Sequence, residues 1–170
     1  MNDFTTLNIK DFETKPINLI SKAMLITAGV EGDFNTMTAS WGGLGFLWQR
    51  PVAFIFIRPQ RYTLQFVERE SLVTLSFFDD SYRNAMNICG TKSGRDTDKV
   101  REAGISPLKF PEGGIAFKEA RYVFECRKLY ADFMEPKHFI DQSIPDKIYP
   151  TKDFHKIFII GIENAWQKTT

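Results

Sequence analysis

The chain has 170 residues, 43% of them hydrophobic and 25% charged, with a formal net charge of +1. These values fit a single globular domain over residues 1–170, and the near-neutral balance argues against a polyanion-binding surface, so no nucleic-acid partner is expected. No apolar run approaches the ~18–20 residues of a membrane span, and the first residues lack the basic-then-apolar order of a signal peptide, so a cytoplasmic location without membrane contact is expected.

In chain order, Pro16 suits the first turn of a short helix within residues 15–23. Residues 23–30 read as a strand, 31–33 as a turn and 34–41 as a returning strand, so Ala23 to Trp41 forms a hairpin candidate. The following "GGLGFLWQRP" reads as a crossing to the next strand. Val52 to Arg58 is apolar on both faces and should be an inner strand. A helix follows over 61–70, with Thr63 as a candidate cap, then a strand over 71–78. Two helices come next, one from Ser81 to Gly90, the other starting near Ser93 or Thr97 and stopping at Gly104. Residues 114–134 read as two strands or one long bent one, and 153–168 as a closing strand that can bend at Gly161. Six or seven strands against three or four short helices, without regular alternation, disfavour a doubly wound parallel sheet. A mainly antiparallel barrel with helices inserted at its edge is the better expectation.

Several chemistries have no visible machinery. The two histidines, His138 and His155, sit in no HExxH or other ligand-spaced group. Cys89 and Cys126 have no CxxC spacing, so neither a metal site nor a disulfide framework is expected. There is no GxSxG elbow, no GxxxxGK[ST] loop, and "GGLGF" lacks GxGxxG spacing. A protein that borrows its reactivity from a cofactor remains open.

Three patches can share one ligand. In "TMTASWGGLG", Thr36, Thr38 and Ser40 fall on one face of a strand, either a polar outer face or a binding surface. In "IRPQRYT", Arg58, Arg61 and Thr63 follow a buried strand; they form a solvated strand end or an anion site. In "CGTKSGRDTDK", Ser93 and Asp96 fit a capping box, while the basic residues and free amides at a helix start also suit an anion.

The blocks "NTMTASWGGLGFLWQRPVAFIFIRPQRYTLQFVE", "VTLSFF" and "CGTKSGRDTDK" resemble the flavin reductase-like, FMN-binding split-barrel family, including flavoredoxin-like proteins. The similarity runs in order from about Lys22 to Gly161. The resemblance implies a mainly β fold, a six-stranded antiparallel Greek-key split barrel with a few inserted short helices. It implies a homodimer with FMN at the barrel edge near the subunit interface. Carried over by position, it sets Asn35, Thr38, Ala39, Ser40 and Trp41 along the flavin. Arg58, Arg61 and Thr63 then lie by the ring edge or phosphate, and Ser93, Gly94, Asp98 and Lys99 come from the helical turn. His155 and Trp166 are further residues that can approach the site. Trp48 has no transferable role, and Cys89 reads as a buried helix-end cysteine.

The resemblance also implies a mechanism. Hydride from NADH or NADPH passes to flavin N5 while charge develops near N1 and the C2 oxygen. The protein then needs donors or a positive charge near that anion and no acid or base side chain. The leading expectation is therefore an FMN-binding, NAD(P)H-dependent flavin reductase with no catalytic side chain of its own. The alternative is a flavoredoxin-like electron carrier serving a redox protein partner.

Overall fold

The computed structural model of the chain describes Met1 and residues 3–169. After β1 (Phe4–Leu7) and α1 (Pro16–Ser21) come β2 (Met24–Val30), β3 (Asp33–Ala39), β4 (Gly42–Leu47) and β5 (Arg50–Ile57). Then follow α2 (Thr63–Arg69), β6 (Leu72–Phe77), α3 (Arg83–Thr91), α4 (Lys99–Ala103), β7 (Pro107–Lys109) and β8 (Ile115–Phe117). The chain closes with β9 (Tyr122–Phe133), α5 (Ser143–Ile148) and β10 (Lys156–Lys168).

Among the described residues the main sheet has eight strands in the order β3-β2-β6-β9-β10-β5-β4, with β1 added to β10, and every pair is antiparallel. β6 returns past β3–β5 to pair with β2, which is the Greek-key step. Alternation sends Ile26, Met37, Ile55, Leu75, Phe124 and Ile160 into one common core although they come from six different strands. The sheet therefore curls around a single interior and is split between β3 and β4, which only Ser40 and Trp41 separate along the chain. This mainly β, antiparallel split barrel agrees with the sequence expectation, but the strand count exceeds six. β1 and the small β7–β8 hairpin carry too little apolar alternation to stand out in the sequence.

Local differences have physical causes. The segment read as a crossing is strand β4, paired residue by residue with β5. Its glycines hide the strand signal and allow the close approach: a Cβ on Gly42 would lie 2.6 Å from the Phe54 carbonyl oxygen. The β4–β5 turn is Trp48-Gln49, both left-handed at φ 50 and 59°, the geometry that usually calls for Asn-Gly. Thr63 is the first residue of α2, and Tyr62 holds the cap position. α4 starts near Thr97 and not near Ser93, because Asp98 supplies the cap by accepting from the Arg101 N–H at 3.1 Å. β10 breaks register with β9 on both sides of Gly161, between Ile159 and Ile160 and between Ile162 and Asn164, which is the bend expected there. Among the described residues no helix is long and apolar enough to cross a membrane.

Candidate functional site

The split in the barrel opens a cleft of about 300 Å³ lined by Thr38, Ala39, Ser40, Trp41, Phe56, Arg58, Arg61 and His155. Ser40 and Trp41 lie between the β2–β3 and β4–β5 ladders, so their backbone belongs to neither. Trp41 is half exposed, and its ring centroid lies 5.2 Å from that of His155. Of the three hydroxyls read together in the sequence, Thr36 on β3 is buried against Thr27 at 2.8 Å, and Thr38 on β3 donates to the Met86 carbonyl at 2.5 Å. The reason is α3, which covers that face of β3; Ser40 alone stays exposed.

Opposite β3, His155 is buried, with Nδ1 at 2.8 Å from the Tyr149 hydroxyl. Burial, with the nearby Arg58 cation adding to it, pushes the imidazole down to about 4, so it is neutral at physiological pH. Arg58 is charge-compensated. It pairs with Asp153, donates to the Ile148 carbonyl at 3.0 Å and lies 5.1 Å over the Tyr149 ring. Hydrogen bonds from Gln60, Arg58 and Thr151 hold the Asp153 carboxyl well below the usual range. Tyr149 and Asp153 belong to the long connection between β9 and β10, which folds back to fix Arg58 and His155.

Arg61 and Lys99 are different. Arg61 Nη1 donates to the Gly90 carbonyl at 2.8 Å, and Lys99 Nζ reaches the Cys89 and Lys92 carbonyls at 3.4 and 3.3 Å. Both cations thus sit at the negative C-terminal end of α3. Neither forms an ion pair among the described residues. Burial lowers the Arg61 guanidinium, and burial, reinforced by Arg61, pushes Lys99 down to about 8. The neighbouring Cys89 thiol is buried and pushed up to about 11.

A second, larger cleft of about 760 Å³ is lined by Asn35, Tyr62, Gly94, Asp98 and Lys99, among others. Asn35 Nδ2 donates to Thr63 Oγ1 at 2.8 Å. Gly94 lies so close that a Cβ there would be 2.2 Å from Asn35 Oδ1. Sequence-predicted residues are thus divided between two clefts. Thr38, Ala39, Ser40, Trp41, Arg58, Arg61 and His155 line the smaller, and Asn35, Gly94, Asp98 and Lys99 the larger. Thr63 supports Asn35 from behind, and Ser93 accepts the Arg95 N–H at 3.2 Å within the turn before α4. Trp166 lies elsewhere: its indole donates to Glu125 at 3.3 Å and packs 5.9 Å from Phe110. β10 is long enough to carry that end of the strand away from His155. Phe56, Tyr62, Tyr149 and Asp153 were not expected. The first alternates with the inward Ile55 and Ile57 and is legible from period two, whereas Tyr149 and Asp153 arrive through tertiary folding alone.

Comparisons with known proteins agree with this architecture. The flavin reductase like domain matches residues 18–170. Curated proteins give no match. An FMN-binding domain of a flavin reductase-like enzyme from Shewanella baltica superposes with a TM-score of 0.70 at 15% identity, covering 97% of this chain and 77% of that one. Flavoredoxin from Methanosarcina acetivorans gives 0.65 at 18% identity over 96% of this chain and 76% of its own. The NADH:FAD oxidoreductase of Streptomyces globisporus gives 0.65 at 14% identity over 84% and 73%. At these identities the likeness is one of fold, and the match over residues 18–170 carries the assignment: the chain belongs to the flavin reductase like domain family.

Proposed function

We propose that the protein is an FMN-binding oxidoreductase that takes electrons from NADH or NADPH. The observation that carries this reading is the Arg61–Lys99 pair. Two neighbouring desolvated cations without a carboxylate are costly unless an anion completes them. A phosphate ester is such an anion, and the donor set fits it. Arg61 and Lys99 would hold the phosphate, and the Thr38–Trp41 edge with Phe56 and His155 would hold the ring. Bound flavin supplies the hydride-accepting chemistry. The chain contributes position, water exclusion by Trp41 and Phe56, and unladdered backbone at Ser40 and Trp41. His155, neutral and oriented by Tyr149, offers a hydrogen bond without adding charge.

A second copy of the chain is proposed as partner. The β4 edge presents Phe46, 67% exposed, with Trp48, 56% exposed, in the turn that follows and half-exposed Trp41 at the other end of the strand. Light scattering tests this: a flavin-loaded monomer would contradict it. The function is tested by the visible spectrum with FMN, followed by anaerobic NADH or NADPH. A protein that binds no FMN refutes the reading. One that binds FMN but is bleached by neither nucleotide is instead a carrier between redox proteins.

A further inference from the structure

A neutral imidazole carries one proton on two nitrogens, so His155 presents the smaller cleft with either a donor or an acceptor. What that wall can recognise depends on which. The side chain that decides is Tyr149, which meets His155 from behind and does not line the cleft itself.

Both rings are held. Tyr149 is buried; its ring lies against Phe154, with centroids 4.7 Å and planes 31° apart, meets Phe139 at 6.0 Å, and carries the Arg58 guanidinium at 5.1 Å. The His155 carbonyl accepts the Met134 N–H at 2.9 Å, and its ring has Trp41 at 5.2 Å and Phe56 at 6.4 Å. The two rings meet edge-on, 80° apart.

The Tyr149 hydroxyl has one proton and two acceptors in reach, His155 Nδ1 at 2.8 Å and the Met134 sulfur at 3.5 Å. A thioether is only a weak acceptor, so the imidazole lone pair takes the proton. Burial raises the Tyr149 phenol above its ordinary value, which keeps that proton in place. With Nδ1 accepting, the imidazole's own proton sits on Nε2. Nε2 has no hydrogen-bond partner among the described residues. Ser76 Oγ is the one side-chain polar atom there that is both enclosed and unpartnered, so Nε2 is open to the cleft. An uncharged N–H among aromatic rings polarises an acceptor without the desolvation cost of a cation.

We propose that Tyr149 is a positioning residue: its hydroxyl donates to Nδ1 and commits His155 to the Nε2–H tautomer. The smaller cleft then recognises a ring that bears an acceptor, a carbonyl oxygen or an unprotonated ring nitrogen, at that wall. The tautomer stands on the geometry alone, and the identity of the ring rests on the flavin reading of this cleft.

Nitrogen NMR of histidine-labelled, flavin-free protein at neutral pH reads the tautomer. A His138→Asn background leaves His155 as the only histidine, and His138 is exposed, so that change should not disturb the fold. The expected spectrum has a protonated Nε2 and a bare Nδ1. Tyr149→Phe keeps the ring and its packing but removes the hydroxyl, and should turn the single tautomer into a mixture. The wild type carries the same attribution without a variant: the Tyr149 hydroxyl proton should exchange slowly and couple to Nδ1. Added FMN should shift the Nε2–H resonance and slow its exchange with water. The proposal is overturned by a proton on Nδ1, by a rapidly exchanging Tyr149 hydroxyl, by a single tautomer retained in Tyr149→Phe, or by bound FMN that leaves the Nε2–H resonance unmoved. Failure of the flavin reading looks different: the tautomer and its dependence on Tyr149 are upheld, and FMN does not bind.

Discussion

Arg61 and Lys99 converge on one helix end, the guanidinium 2.8 Å from the Gly90 carbonyl and the ammonium 3.4 Å from that of Cys89. Both are capping interactions for α3, yet together they concentrate positive charge that no side chain among the described residues balances. Capping contributes about 0.3–1 kcal/mol, and burying an unpaired charge costs more. Lys99→Met should therefore leave flavin-free stability within about 1 kcal/mol of wild type or raise it. Urea denaturation measures this; a loss of several kcal/mol would show that Lys99 is a structural cap rather than a ligand group in waiting.

The same lysine gives a pH signature. Burial holds Lys99 at about 8 against an ordinary 10.5. Between those values the unfolded chain binds the proton and the folded chain does not, so this group makes flavin-free stability rise with pH across that window. Phosphate requires the charged form, so FMN affinity should fall as pH rises through about 8. The slope should vanish in Lys99→Met. Fluorescence titrations between neutral and alkaline pH compare the two proteins, and equal slopes would remove Lys99 from the account.

Gly94 tests the wall between the turn and β3. A Cβ there would meet Asn35 Oδ1 at 2.2 Å, and Asn35 is buried and bonded to Thr63. Gly94→Ala should displace the amide and leave a buried polar group unpaired, costing about 1–3 kcal/mol. Thermal and chemical denaturation should both show it. Wild-type stability in Gly94→Ala would mean that the turn relaxes freely.

The Trp48-Gln49 turn combines left-handed backbone with an exposed indole. Replacing the pair by Asn-Gly should relieve roughly 1–2 kcal/mol of strain in the subunit. If Trp48 meets a second copy, the same change should weaken self-association. Sedimentation and denaturation together separate the effects: greater stability with unchanged association would take Trp48 out of the interface.

Much of this was legible in the residues. The hairpin from β2 to β3 reads directly from β-rich alternation around "EGD", and Asp33–Ala39 carries it. Gly104 ends α4 where the pattern said it should. The β4 strand was hidden because glycines erase the alternation that marks a half-buried strand. The roles of Thr36 and Thr38 were hidden because period two reports a shared face and not what covers it; here α3 does. Arg58 looked like a free cation because Asp153 lies 95 positions away. Residues of all three patches do line clefts, but Arg61 lines the smaller cleft and its neighbour Tyr62 the larger, a division that spacing does not encode.

On the proposed function, Arg61 and Lys99 hold the phosphate of a flavin. The most direct measurement is FMN affinity by fluorescence quenching in wild type, Arg61→Ala and Lys99→Ala at neutral pH. Each substitution should weaken FMN by about 10- to 100-fold, the scale of a lost charge-assisted hydrogen bond. Riboflavin, which lacks the phosphate, should lose far less. FMN affinity unchanged in both variants would contradict the account.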